Sequence, residues 1–232
     1  MAGALAEVGM SVEGLLGRGD DLADAARGVD ILIIATPDSV LSEVAASVGP
    51  QATTLVAHLS GALGLDVLGT HERRASIHPL VPLPDPEIGR SRLLSGATFV
   101  VSGDPAAGEI PRVLGGKVLS VGEADRVRYH AAACMAANHL VALMGQVERV
   151  ASTVGLPLDA FIGLARASLD DVEALGPVAA LTGPVVRGDG ATVEAHRRSL
   201  PSSELAGYDA GVALARRLAL SACLTPEGSR CA

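Results

Sequence analysis

The sequence predicts an α/β domain with a mostly parallel sheet, followed by an all-helical domain. Between Ser11 and Ser120 short β-like runs alternate with helix-like ones, the pattern of βα units. From Glu123 to Val154 the only break residue is Gly145, and apolar side chains recur at helical spacing. Aromatics make up 2% of the residues, and Ala, Val, Leu and Gly supply most of the apolar content, so close packing of small side chains is expected. The expected division is 1–122 for the α/β domain, 123–222 for the helical domain and 223–232 for a loose tail.

The clearest strand is Asp30–Ala35, a continuous apolar run of the kind covered on both faces. It stops at Thr36-Pro37, and Asp38 or Ser39 is placed to cap a helix over Val40–Val48 that ends at Gly49-Pro50. Further strands are expected at Thr53–Ala57, Ala75–His78, Ala97–Val101 and Lys117–Ser120, with a helix near Leu63–Thr70. Four prolines between Pro79 and Arg92 predict an irregular excursion. Beyond the long helix of Glu123–Val154, helices are expected at Leu158–Leu175, Asp189–Ser199 and Glu204–Leu220.

With a formal net charge of −8 and no long basic run, the chain is expected to bind neither nucleic acid nor an anionic membrane. Its most apolar stretch, Ala131–Met144, is interrupted by Asn138 and His139 and is shorter than the ~20 residues of a span. No export signal is visible, so a cytoplasmic location is expected. Cys134, Cys223 and Cys231 fit no zinc or disulfide pattern and read as reduced thiols. The six histidines form no H-x-x-x-H pair, so no metal is expected, and the absence of G-x-S-x-G argues against a serine hydrolase.

A doubly wound, Rossmann-type nucleotide-binding domain opens with a strand, a glycine-rich turn and a helix whose N-terminus holds a pyrophosphate. Here Ala2–Val8 reads as the tail of such a helix, Gly9-Met10 as its stop and Ser11–Leu16 as the second strand. The first strand and its G-x-G-x-x-G turn have no counterpart in the sequence. The favoured expectation is a coding start placed too far downstream, the alternative a degraded gene.

Five segments, in order along nearly the whole chain, carry a resemblance: "ATPD" at 35–38, "HLSGALGLDVL" at 58–68, "SIHPL" at 76–80, "YHAAACMAANHLVAL" at 129–143 and "GPVAALTGPVVRGDGATVEAH" at 176–196. The chain resembles a Rossmann-like family of undefined substrate in the 6-phosphogluconate-dehydrogenase-like superfamily. That resemblance implies NADP(H) binding by the first domain, a helical second domain that often dimerises, hence a homodimer, and a cleft between the domains. Related folds include ketopantoate reductase, pyrroline-5-carboxylate reductase and prephenate dehydrogenase, which move hydride to or from small metabolites.

Candidate cofactor contacts are Arg18, a cation suited to the 2′-phosphate of NADP, and Ala35, Thr36 and Pro37 at the carboxyl end of a strand. His58, Ser60 and His78 fall at the ends of two consecutive strands, where an imidazole can manage a proton and a hydroxyl can orient substrate. His130, Cys134 and Asn138 are spaced i, i+4, i+8 on one helix face, His130 being the candidate general acid and Asn138 an orienting group. Related β-hydroxyacid dehydrogenases carry a lysine where Cys134 stands, so the catalytic apparatus differs. Thr182, Arg187 and Asp189 lie in the "LTGPVVRGD" loop, where Arg187 can clamp an anionic group and Asp189 can cap the next helix. Each has a bland counterpart: a solvated loop arginine at 18, a plain turn at 36–37, an anchoring histidine at 78, a buried structural histidine at 130, and a loop-shaping ion pair between Arg187 and Asp189.

The expected function is an NADP(H)-dependent oxidoreductase passing hydride to or from a small, anionic metabolite. The alternatives are a non-catalytic dimeric sensor that kept the fold, and a fragment that folds poorly.

Overall fold

The computed structural model of the chain describes residues 1–222. Cys223, Cys231 and the expected loose tail lie outside the described residues. The chain forms two compact units, Met1–Ala137 and Asn138–Ala232. They part beyond Gly122, because the helical segment after Gly122 first packs on the sheet through Arg126 and Tyr129.

In the first unit, helix α1 (Ala2–Glu7) is followed by strand β1 (Ile31–Ile34), helix α2 (Asp38–Ser47), β2 (Leu55–His58) and β3 (Arg74–Pro79). Helix α3 (Pro86–Leu94), β4 (Thr98–Gly103), α4 (Glu109–Val113), β5 (Lys117–Leu119) and helix α5 (Arg126–Cys134) complete it. The sheet order is β1-β2-β3-β4-β5. β1–β2, β2–β3 and β4–β5 pair in parallel and β3–β4 antiparallel, so the sheet is mostly parallel, as the alternating pattern predicts.

Strand β2 is fully buried and shows why the pairing is unambiguous. Leu55 and Ala57 join Ala75, Ile77, Leu93, Phe99 and Ile110 in one cluster, while Val56 joins Ile34, Leu41, Ala45 and Leu68 in the other. The two-residue alternation of strand side chains sends neighbours to opposite faces, so a slip of one residue would swap the clusters. Gly103 ends β4 with φ +94 and lies against the Arg74 carbonyl, where a Cβ has no room.

Four expectations are corrected. Ser11–Leu16 forms no strand: it is exposed, Leu15 to 81%, because no neighbouring strand offers it a ladder. Arg18 consequently ends no strand and lies in an exposed turn held by the Gly17 amide donating to Asp20. The Pro79–Arg92 segment is not irregular throughout, since Pro86 occupies the first turn of α3 and Asp85 caps it by accepting from the Ile88 amide. Asp38 does not cap α2, whose N-cap is Pro37 without a side-chain bond. Two smaller differences concern β1, which is half-buried at the sheet edge rather than covered on both faces, and Leu63–Thr70, which shortens to a single 3₁₀ turn at Leu65–Leu68.

Residues 123–152 are helical throughout, with a π-helical stretch, Met135–His139, between α5 and the next helix, α6 (Leu140–Ser152). The second unit continues with α7 (Asp159–Leu175), α8 (Pro177–Ala180), α9 (Gly190–Ser199) and α10 (Leu205–Ala222). Within it, Arg149 grips the Glu204 carboxylate through two nitrogens, Gln146 donates to the Glu204 carbonyl, and Arg197 pairs with Asp209. No described helix is long and apolar enough to cross a membrane.

Candidate functional site

The carboxyl ends of the parallel strands β1, β2 and β3 gather most of the chemistry-bearing side chains of the first unit. This end of an open α/β sheet is where ligands bind, because chain reversals there leave backbone groups and side chains pointing outward. Thr36 follows β1, between an exposed Ala35 and an exposed Pro37, and its Oγ1 is buried without a hydrogen-bond partner. His58 is the last residue of β2 and 0% exposed.

The turn after β2 is built around Ser60. Its amide donates to His58 Nδ1 at 3.2 Å, which leaves Nδ1 as the acceptor and places the neutral imidazole's proton on Nε2. Ser60 Oγ donates to Asp38 Oδ2 at 2.8 Å and accepts from the amides of Ala62 and Leu63. Asp38 is thus drawn to the turn instead of to its own helix. His58 Nε2 makes no hydrogen bond. Its pKa is pushed down to about 4, first by burial and then by the Arg126 charge, against weaker opposing pulls from the Gly64 carbonyl and Asp38.

From β3, His78 Nδ1 bonds the Tyr129 hydroxyl of α5, and the rings of His78 and His130 meet edge to face with centroids 6.0 Å apart. Burial, then His130 and Arg126, push His78 down to about 4, while burial pushes the Tyr129 phenol up. At neutral pH the phenol is therefore the donor and His78 Nδ1 the acceptor. Gly61 makes this cluster possible: a Cβ there would stand 2.6 Å from His130 Cδ2 and 2.8 Å from His78 Cε1. Cys134 Sγ lies 3.9 Å from His130 Nε2, one helical turn on, directly before the π-helical stretch.

Behind the turn sits Arg126, 1% exposed. Its guanidinium donates to the carbonyls of Leu63 and Ser60 and to the hydroxyls of Ser76 and Ser102. Among the described residues no carboxylate lies within salt-bridge distance of it.

His58, Ser60, His78 and His130 thus come together in one cluster, with Thr36 at the neighbouring strand end. Arg18 does not join them. Asn138, Thr182, Arg187 and Asp189 belong to the second unit. There Asp189 caps α9, accepting from the Thr192 amide at 3.0 Å and from its hydroxyl, which hold its carboxyl below the usual range. Asn138, Thr182 and Arg187 are exposed, and no ion pair joins Arg187 to Asp189. Asp38, Gly61, Tyr129 and Arg126 are the members that sequence reasoning missed. Tyr129 and Arg126 stand i−1 and i−4 from His130, a signal that was available once α5 was placed on the sheet. Among the described residues no group of three His, Cys, Asp or Glu is arranged to hold a metal.

Solved structures share this architecture. Protein TM1727 from Thermotoga maritima is 27% identical with a TM-score of 0.68, covering 82% of this chain and 78% of its own. A candidate NADP oxidoreductase, BF3122 from Bacteroides fragilis, is 19% identical with a TM-score of 0.69, covering 86% of this chain and 79% of its own. Plasmodium falciparum pyrroline carboxylate reductase with NADP bound is 12% identical with a TM-score of 0.56, covering 94% of this chain and 92% of its own. At these last two identities the likeness is one of fold. No curated protein matches the chain. The sequence profile of a domain of unknown function, DUF2520, matches residues 99–215, just over half of the chain. This chain therefore belongs to the DUF2520 family.

Proposed function

We propose that this protein is an NADP(H)-dependent oxidoreductase acting on a carbonyl or imine carbon of a small, anionic metabolite. The observation that carries the reading is the pair of buried polar atoms without partners, Thr36 Oγ1 and His58 Nε2, at adjacent ends of parallel strands. A buried polar group left unsatisfied is costly, and a ligand that bonds it removes the cost. Similar folds among NADP-binding reductases supply the ligand class.

Residues of the first unit fit the nicotinamide half of the dinucleotide. Ala35, Thr36 and Pro37 would hold it by backbone groups and the Thr36 hydroxyl, close to the Ser60 turn. The described residues before β1 contain one short helix and no strand, so they offer no counterpart to a glycine-rich diphosphate cradle. When bound, the cofactor supplies or accepts the hydride.

The remaining chemistry falls to the protein. Ser60 Oγ, its donor and both acceptor positions taken by Asp38 and the two amides, shapes the turn that places His58 rather than touching substrate itself. His58 and His78, held neutral, serve as uncharged donors at Nε2 rather than as imidazolium acids. Tyr129 keeps its proton on Oη and donates it to His78 Nδ1, which fixes the His78 proton on Nε2 as the one offered to a nascent alkoxide or amine, and His130 flanks the pair. We also propose that the helical unit self-associates, since Val141, Leu143, Leu164, Leu175 and Leu214 leave large apolar side chains exposed on it. Titration with NADPH followed by nicotinamide fluorescence tests the reading. Saturable binding weakened by Thr36→Val supports it, and no binding, or binding indifferent to that substitution, overturns it.

A further inference from the structure

Arg126 is the one fully buried charged side chain of the first unit, and it is committed to neutral oxygens alone. Moving a guanidinium out of water is costly unless its donors are met, and one without a carboxylate partner lacks the usual compensation. Four of its five N–H groups are engaged, and at 1% exposure it cannot clamp a ligand directly. Its partners are what give it a purpose. Two are carbonyls of the Ser60–Leu63 turn, one is the Ser76 hydroxyl on β3 and one the Ser102 hydroxyl on β4. Ser76 in turn donates to the same Ser60 carbonyl.

We propose that Arg126 is a positioning residue: its guanidinium pins the Ser60–Leu63 turn to strands β3 and β4 and so fixes the bonds that Ser60 makes to His58 and Asp38. The planar fork suits this task, because it reaches four acceptors at once in set directions, which an ammonium cannot do. The same charge faces both imidazoles of the site. His58 is surrounded by Arg126, His78, Asp38 and the Gly64 carbonyl, and His78 by His130, Tyr129, Arg126 and Asp38. Glu123 lies over Gly64 and faces Arg126 from the solvent side. Helix α5 therefore contributes to the strand-end site a clamp as well as its histidine and tyrosine.

The role rests on the reading that these strand ends bind a ligand, and its test needs none. Arg126→Lys and Arg126→Met are made in the whole protein, and amide exchange and histidine titrations are read by NMR on the free form. In both variants the Ala62 and Leu63 amides should exchange roughly tenfold faster or more, the loss expected for buried hydrogen bonds, while β2 amides keep their protection. In Arg126→Met the His58 midpoint should rise by about one pH unit, since a nearby positive charge has been removed, and Arg126→Lys should hold it near the parent value. Unchanged protection of the turn in Arg126→Lys overturns the proposal, as does a uniform loss of protection across β2, β3 and β4. Should Arg126→Met fail to fold, the lysine variant decides alone. NADPH binding is measured separately, so its failure leaves the clamp standing, and failure of the clamp leaves NADPH binding standing.

Discussion

His58 makes the protein's stability depend on pH in a direction that can be worked out. Its folded-state value is pushed down to about 4 from an ordinary 6.5, because burial and Arg126 disfavour the charged ring. Between those values the unfolded chain binds a proton that the folded chain refuses. The stability it contributes is thus fully present above about pH 6.5 and is lost as pH falls towards 4. At about 1.4 kcal/mol per pH unit the full loss is roughly 3 kcal/mol, with about 2 kcal/mol gone by pH 5. His78 carries the same sign, so His58→Asn removes only part of the acid sensitivity. Asn is the informative replacement: its Oδ1 can still accept the Ser60 amide, yet it cannot be protonated. Urea midpoints of parent and variant, measured at pH 7.5, 6 and 5, give the comparison, and a histidine Cε1–H titration supplies the midpoint directly. Equal acid sensitivity in the two proteins, or a His58 midpoint near 6.5, would refute the reasoning.

Three further outcomes follow from the packing. Phe99→Ala opens a cavity in a side chain that is 0% exposed at the centre of the larger cluster, and should cost about 3–5 kcal/mol in urea unfolding, whereas under 1 kcal/mol would contradict that placement. Gly61→Ala forces a methyl into the His78 and His130 rings, so a loss of about 1–3 kcal/mol and a shifted His78 resonance are expected, with an unchanged spectrum counting against the cluster. Light scattering should report a dimer mass that falls to the monomer when Leu164 and Leu214 are replaced by Glu, and a monomeric parent would refute self-association.

Strand positions were legible because β-branched and aliphatic runs of four to six residues are bounded by Gly and Pro, and β2, β3, β4 and β5 all fall within a few residues of their predicted spans. Helices α7, α9 and α10 were legible from helical spacing for the same reason. What local pattern could not reveal was pairing. Ser11–Leu16 has strand composition and no ladder to join, and the antiparallel entry of β4 depends on the sheet edge at β3 rather than on residues within β4. The proline-rich stretch misled because Pro86 in a first helical turn favours a helix while it looks like a breaker in isolation.

The site divides the same way. His58, Ser60, His78 and His130 were visible as polar residues at strand ends and on a helix face, a matter of spacing. The neutral state of His58 and His78 was not, because it depends on burial and on an arginine distant in sequence that reaches the turn only in the fold. Gly61 lies within the "HLSGALGLDVL" segment, but its purpose, room for two imidazoles, requires coordinates.

The most direct measurement is a histidine-resolved NMR titration of the protein with NADPH. If the ends of β1 and β2 receive the nicotinamide, the His58 Nε2 and Ser60 amide resonances shift saturably, with the same midpoint as the fluorescence change. Saturable binding that moves neither resonance, or no binding at all, contradicts the assignment of this strand-end cluster as the active site.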